Sequence, residues 1–448
     1  MRSYLRCAPT QQKKYSTARV LALHKYCQTT SRVRVFFVAV LFCLPALVVM
    51  VTFDAIPLCA PEDGWRANGV YWFRIGVGTA LVSAGLLMHL QFMVPEIVFT
   101  RKQFESIVTG VSIRYTSSLV LLAAYWKFPA PFTYTVGGVP FIATLTTLIV
   151  VVLGIDDRER LRKFFQFFDM IGIQALIMVV YPAYSAIFSS LEGNTRLASV
   201  LLLPMIKHTL KHVARTTSRD AGELLIATVT SVDIFDALYM AKCMQSAGTL
   251  LIGVGIILLD MAENYAAVWR LDRHTQTLTT VKKHTEIRAS NRVSPELLPW
   301  VAKEPIHRPS TWTTGNAILA AANDEAIAET AQLLYLSESV VIVEYIETIV
   351  PVITVIYIAI LYHLPNAKYY KDMAESTPAK LRIVVTSILL YALMELLSLV
   401  YVHSALKRRF GISAFYQLAF ALESEWPIYQ SEFVAWIIVA FQFLLIHG

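Results

Sequence analysis

Six carboxylates stand where an apolar helix would ordinarily hold Leu or Val: Asp233, Asp236, Asp260, Glu344, Glu347 and Glu395, with Glu263 as a weaker seventh candidate. Asp233 with Asp236, Asp260 with Glu263, and Glu344 with Glu347 share a three-residue spacing, which puts each pair on one helix face. Asp233, Asp236, Asp260, Glu347 and Glu395 are expected to be the deepest. No Lys or Arg is expected at comparable depth. Acids buried without a base must each be protonated, share a proton, bind a cation or face water. The chemistry this suggests is proton or cation exchange along the pathway of an ion or small solute, with the deep acids meeting in one site. Two other readings stand beside it. In a membrane scaffold or assembly subunit, neutral carboxyl groups would donate hydrogen bonds between helices; in a membrane-embedded enzyme, they would act with a histidine.

The templates of known active sites are absent. There is no Glu-x-x-His or His-Glu-x-x-His, no phosphate-binding Walker loop and no Gly-x-Ser-x-Gly elbow. No metal or cofactor is implied. His89 and His403 are the histidines best placed to matter, His89 as a weaker site candidate, although satisfied histidines between helices are the commoner case.

The stretch 224–270 must position four of these acids, Asp233, Asp236, Asp260 and Glu263. It reads as two apolar segments joined at Lys242–Gln245. Two central Asp cost roughly 5–7 kcal/mol on an insertion scale, against about 4 kcal/mol recovered from its large apolar residues, so the first segment cannot be stable in lipid alone. It has to lean on the rest of the protein.

The rest is built accordingly. A 448-residue chain with 56% hydrophobic and 16% charged residues and a mean hydropathy of +0.54 is too apolar for a soluble globular protein. The expected fold is an all-α polytopic transmembrane helix bundle. About eleven spans are read at 35–53, 75–94, 115–128, 137–154, 167–189, 196–206, 224–243, 246–269, 339–363, 382–403 and 429–447. With a cytosolic N-terminus, 30 of the 39 Lys and Arg fall on the cytosolic side, among them the four of 207–219. The C-terminus then lies on the opposite side of a plasma membrane or endomembrane. A mitochondrial presequence competes for the acid-free N-terminal region. The organisation is a basic arm (1–34), a first helix group (35–270), a cytosolic loop (271–337) and a second helix group (338–448). Interfacial amphipathic helices are expected near 156–168 and at 404–426, the latter with Phe415, Leu418, Ala419 and Leu422 on one face. The formal charge of +7 lies in short clusters between apolar runs, as in loops facing anionic lipid rather than nucleic acid. The partners implied are the lipid bilayer and a proton, cation or small solute. Five cysteines are too few for a disulfide framework, although a Cys59–Cys243 bridge is possible.

Four stretches carry a resemblance to a known family: LALHKYCQTTSRVRV at 21–35, DAIPLCAPEDGWRANGVYWFR at 54–74, TVTSVDIFDALYM at 228–240, and the tail from ILYHLPNAKYY to FQFLLIHG. From about residue 20 onward the chain resembles a large family of multi-pass membrane proteins predicted from oomycete genomes. The resemblance implies a membrane architecture and brings with it no substrate and no catalytic residue.

Overall fold

The computed structural model describes residues 17–94, 97–129, 133–154, 158–217, 224–247, 314–374 and 376–442, with Leu258 and Ala262. Among them the chain is helical throughout, with no β-strand. The helices are α1 (Thr17–Thr29), α2 (Arg32–Leu41), α3 (Leu44–Ala55), α4 (Gly69–Met93), α5 (Arg101–Tyr125), α6 (Thr133–Leu153), α7 (Arg158–Ser190), α8 (Gly193–Ser199), α9 (Leu202–Thr217), α10 (Leu224–Ala247), α11 (Thr314–Leu361), α12 (Pro378–Phe410), α13 (Ala414–Ser424) and α14 (Trp426–Gln442). Short helical turns occupy the connections at 61–67 and 367–374.

Local chemistry sets the ends. Thr100 and Gln103 form a reciprocal capping box at the start of α5. Thr377 caps α12, whose first position is Pro378. Gly411, at φ 68°, ends α12 in the left-handed conformation that a side chain would strain.

Among the described residues six segments are long and apolar enough to cross a membrane: Arg32–Ala55, Gly69–Phe92, Arg101–Tyr125, Ile171–Ser190, Leu334–Leu361 and Pro378–Arg408, with Gly137–Leu153 a shorter apolar helix. Phe36, Phe37, Val48, Ile113, Leu121, Leu393, Leu397 and Tyr401 point outward, a surface compatible with lipid. At 48 residues, or about 72 Å at the usual rise, α11 outruns a bilayer, and its apolar part is the C-terminal Leu334–Leu361. Part of the span expected at 246–269 lies outside the described residues, as does residue 271–313 of the expected loop. From Thr314 onward that loop is already helix.

α10 is the hub of the bundle, packed by α7, α9, α11, α12 and α14. From Thr230 to Ala241 every residue is buried. The expectation that this acid-bearing segment leans on the rest of the protein is met by enclosing it in other helices. Three expectations are corrected. The short span at 196–206 is not one helix: α8 ends at Ser199 and α9 runs on to Thr217, through residues read as a cytosolic loop. The span at 115–128 is the C-terminal part of a 25-residue helix that begins at Arg101 and stops at Tyr125, and its polar Ser112 donates to Gly76 O of α4 at 2.7 Å. The segment at 414–424 packs against α1, α2 and α11, with Leu418, Ala419 and Leu422 buried in protein. Cys59 and Cys243 are both free, the first exposed and the second buried.

Candidate functional site

Leu203, Lys207, Leu210, Lys211 and Ala214 recur every three or four residues and form the buried face of α9. Two lysines one turn apart are thereby turned inward. Facing them on α10 are Asp233 and Asp236, and from α11 comes Glu347. Lys211 Nζ pairs with Asp233 Oδ1. Lys207 Nζ lies 3.3 Å from Asp236 Oδ2 and donates to Glu347 Oε1 at 2.5 Å. Tyr181 of α7 donates its hydroxyl to Asp236 Oδ1 at 3.0 Å, and its ring packs against Phe235 and Tyr239. All these charged groups are buried. Four helices thus meet at a seam of ammonium and carboxylate groups, in which Lys207 is shared by carboxylates from two of them.

Three of the sequence candidates are therefore brought together: Asp233, Asp236 and Glu347. Glu344 is buried one turn before Glu347, and Glu395 is buried on α12, which packs against both α11 and α10. Asp260 and Glu263 lie outside the described residues. The expectation that no base is as deep as these acids is overturned by Lys207 and Lys211. Their signal was legible as two lysines on the apolar stripe of α9. A hydropathy reading takes a Lys as the edge of a span, and that hid it.

A second polar centre lies on α14. Glu432 Oε2 accepts from Ser231 Oγ of α10 at 2.6 Å and from Trp436 Nε1 at 2.5 Å. Its Oε1 accepts from Gln174 of α7 at 3.1 Å and stands 3.5 Å from His89 Nε2 of α4. The weaker candidate His89 thus belongs to this centre and not to the lysine seam. Glu432 escaped the sequence reading because it stands near the start of a span, although Trp436 one turn later offered the partner. Beside the centre is a cavity of about 210 Å³. It is bounded by α4, α6, α7 and α14, and His89, Gln174, Ser431, Glu432 and Trp436 form its polar end.

Two further buried networks tie the ends of the bundle. Asp54 Oδ1 accepts from Arg74 at 3.1 Å and from Tyr370 at 2.5 Å, and its Oδ2 accepts from Tyr357 at 2.6 Å. Asn366 donates to the Asp54 and Ile56 carbonyls, both at 2.7 Å. At the other end, Arg19 bridges Glu338 at 2.6 Å and Glu425. Asp54 is engaged by three donors, and Glu338 and Glu425 are each paired with Arg19, so these carboxylates read as structural fasteners. Among the described residues no group of three metal-ligating side chains occurs.

Fold and site together define an all-helical protein with several apolar helices compatible with a membrane and a lysine–carboxylate seam around its central helix. No family model, curated protein or solved structure matches the chain.

Proposed function

We propose that this is an integral membrane protein that moves an ion or small solute with proton or cation coupling, and that the Lys207–Asp236–Glu347 cluster is the coupling site. The observation that carries this reading is the position of Lys207 between carboxylates on α10 and α11. An ammonium group within reach of two carboxylates can favour either one. Protonation of one acid, or arrival of a cation beside it, would release the lysine to the other and shift α10 relative to α11. That is a two-state element biased by a single charge. Tyr181 supplies a hydroxyl on Asp236 that can pass a proton. Family membership as suggested by the oomycete resemblance fits the membrane architecture and leaves the transported species open.

We further read nine to eleven crossings in a plasma membrane or endomembrane, with a cytosolic N-terminus, supported by the asymmetry of the basic residues other than the buried Lys207 and Lys211. The break between α8 and α9 is where that count can change. Single cysteines at Ser16, at Thr280 and in the 207–219 segment should be shielded from an impermeant thiol reagent applied outside, and one at Lys371 should be labelled.

A second reading, a membrane scaffold, is favoured by the burial and pairing of the same acids, since buried ion pairs also fix helix register. Flux measurements separate the two. In reconstituted vesicles the wild type should show a pH-dependent flux that Glu347→Gln and Asp236→Asn abolish while the folded protein is recovered in normal yield. Flux unaltered by either change would return the cluster to a structural role.

A further inference from the structure

The cavity beside Glu432 has a different character from the lysine seam. Its volume, about 210 Å³, exceeds the roughly 150 Å³ of an apolar cavity that stays dry and binds benzene. Its walls are Val82, Leu86, Phe141, Ile142, Met178 and Val179. Apart from His89 Nδ1, which has no hydrogen-bond partner among the described residues, the polar groups at its end are already engaged. Gln174, Ser231 and Trp436 donate to Glu432, Thr79 donates to Ile75 O, and Ser431 donates to Ile428 O while standing 3.5 Å from His89 Nε2. A water needs two to four free polar partners to be held in such a space, and these walls present few. The cavity also has a side entrance. Val139 of α6 is 77% exposed and Val179 of α7 is 49% exposed, yet both line it. Gly138 adds to the opening: a Cβ built there would meet nothing within 4 Å, whereas one on neighbouring Gly137 would run into the ring of Tyr115.

We propose that this cavity is a binding site for the hydrocarbon part of an amphiphile, admitted sideways between α6 and α7 from the bilayer, with His89 and Ser431 meeting at most one small hydrogen-bonding group at its end. This rests on the membrane reading above and not on transport. An apolar space that opens onto lipid fills with what lipid supplies, an acyl chain or a free hydrophobic molecule dissolved in the bilayer. The shape limits the occupant to a ring or a chain of several methylenes.

The test uses the full chain in nanodiscs and two photoactivatable probes: phosphatidylcholine with a diazirine on one acyl chain, and free palmitic acid with a diazirine. Adducts are mapped by peptide mass spectrometry. The expected result is label at the deep lining positions Gln174, Ala435 and Trp436, in addition to label at outward Ile113 and Leu121, with loss of the deep label alone in Gly138→Leu. Ala175→Leu, which fills the same space from α7, should give the same loss and stands in if the first variant fails to fold. Deep label from the phospholipid probe identifies a bilayer lipid as the occupant, and deep label from palmitate alone identifies a free amphiphile. Label confined to Ile113 and Leu121 would overturn the site while leaving the membrane reading intact. Deep label that persists in both filled variants would overturn it as well. Absence of label at Ile113 and Leu121 would refute the membrane reading itself.

Discussion

Replacing Lys211 by Met leaves the Asp233 carboxylate in the core of the bundle without the ammonium group it faces. Neither Asp233 oxygen accepts a hydrogen bond of good geometry among the described residues, so Lys211 is its counter-charge. Two unit charges about 4 Å apart attract by about 4 kcal/mol at an effective dielectric of about 20. Taking both out of water costs several kcal/mol per ion, so the intact pair lies near break-even. Removing one partner is another matter, because the burial cost of the other remains: Lys211→Met and Asp233→Leu should each destabilise by about 3–5 kcal/mol. The double variant closes the seam with apolar volume and should unfold within about 1 kcal/mol of the wild type, or later. The assay is unfolding of the four proteins in mixed micelles by titrated SDS, followed by loss of tryptophan fluorescence. The double-mutant cycle should show coupling of at least about 3 kcal/mol. Coupling below about 0.5 kcal/mol, the level of independent sites, would refute the pairing of α9 with α10 described above.

Other perturbations probe the scaffold. Arg74→Met should cost about 3–5 kcal/mol by stripping Asp54 of its cation, and Tyr370→Phe about 1.5–3 kcal/mol through loss of one hydrogen bond to that carboxylate; the same SDS titration reads both. Gly85→Ala would place a Cβ 2.7 Å from Ser431 Cβ where α4 meets α14, so it should cost about 1–3 kcal/mol. Combining it with Ser431→Gly should recover most of the melting temperature. The isolated segment 224–247 between reporter domains should insert poorly into membranes, and Asp233→Leu with Asp236→Leu should make it insert well, because the acids outweigh the apolar gain. Efficient insertion of the unaltered segment would show that its enclosure by five helices is not needed for burial.

Much of this architecture can be read from apolar runs, because a run of about 20 such residues has few alternatives to a buried helix. The cores of α4, α6, α7, α11 and α12 fall where hydropathy places them. The reading falters where polar residues are satisfied at a distance. Arg101–Tyr125 looks short in sequence because Ser112 and its neighbours are polar, and the carbonyl of Gly76 that accepts from Ser112 is 36 residues away. α9 is harder still. Lys207 and Lys211 resemble loop residues until their partners are known, and Glu347 is 140 residues from Lys207. The spacing of Asp233 and Asp236 is legible by itself, as is their need for an unusual environment. That the need is met by lysines is a fact of tertiary pairing. Glu432 makes the same point from the other side of α10, since its donors come from α7, α10 and α14.

The coupling role of the Lys207 cluster is tested most directly by infrared difference spectroscopy on the reconstituted full chain, stepping the pH and following the carbonyl stretch of protonated carboxyl groups. The account predicts a reversible band from a buried carboxyl that vanishes in Glu347→Gln or Asp236→Asn and shifts its midpoint in Tyr181→Phe. A spectrum in which no pH-dependent carboxyl band responds to any of these three changes would contradict it, and the seam would stand as a structural clamp between α9, α10 and α11.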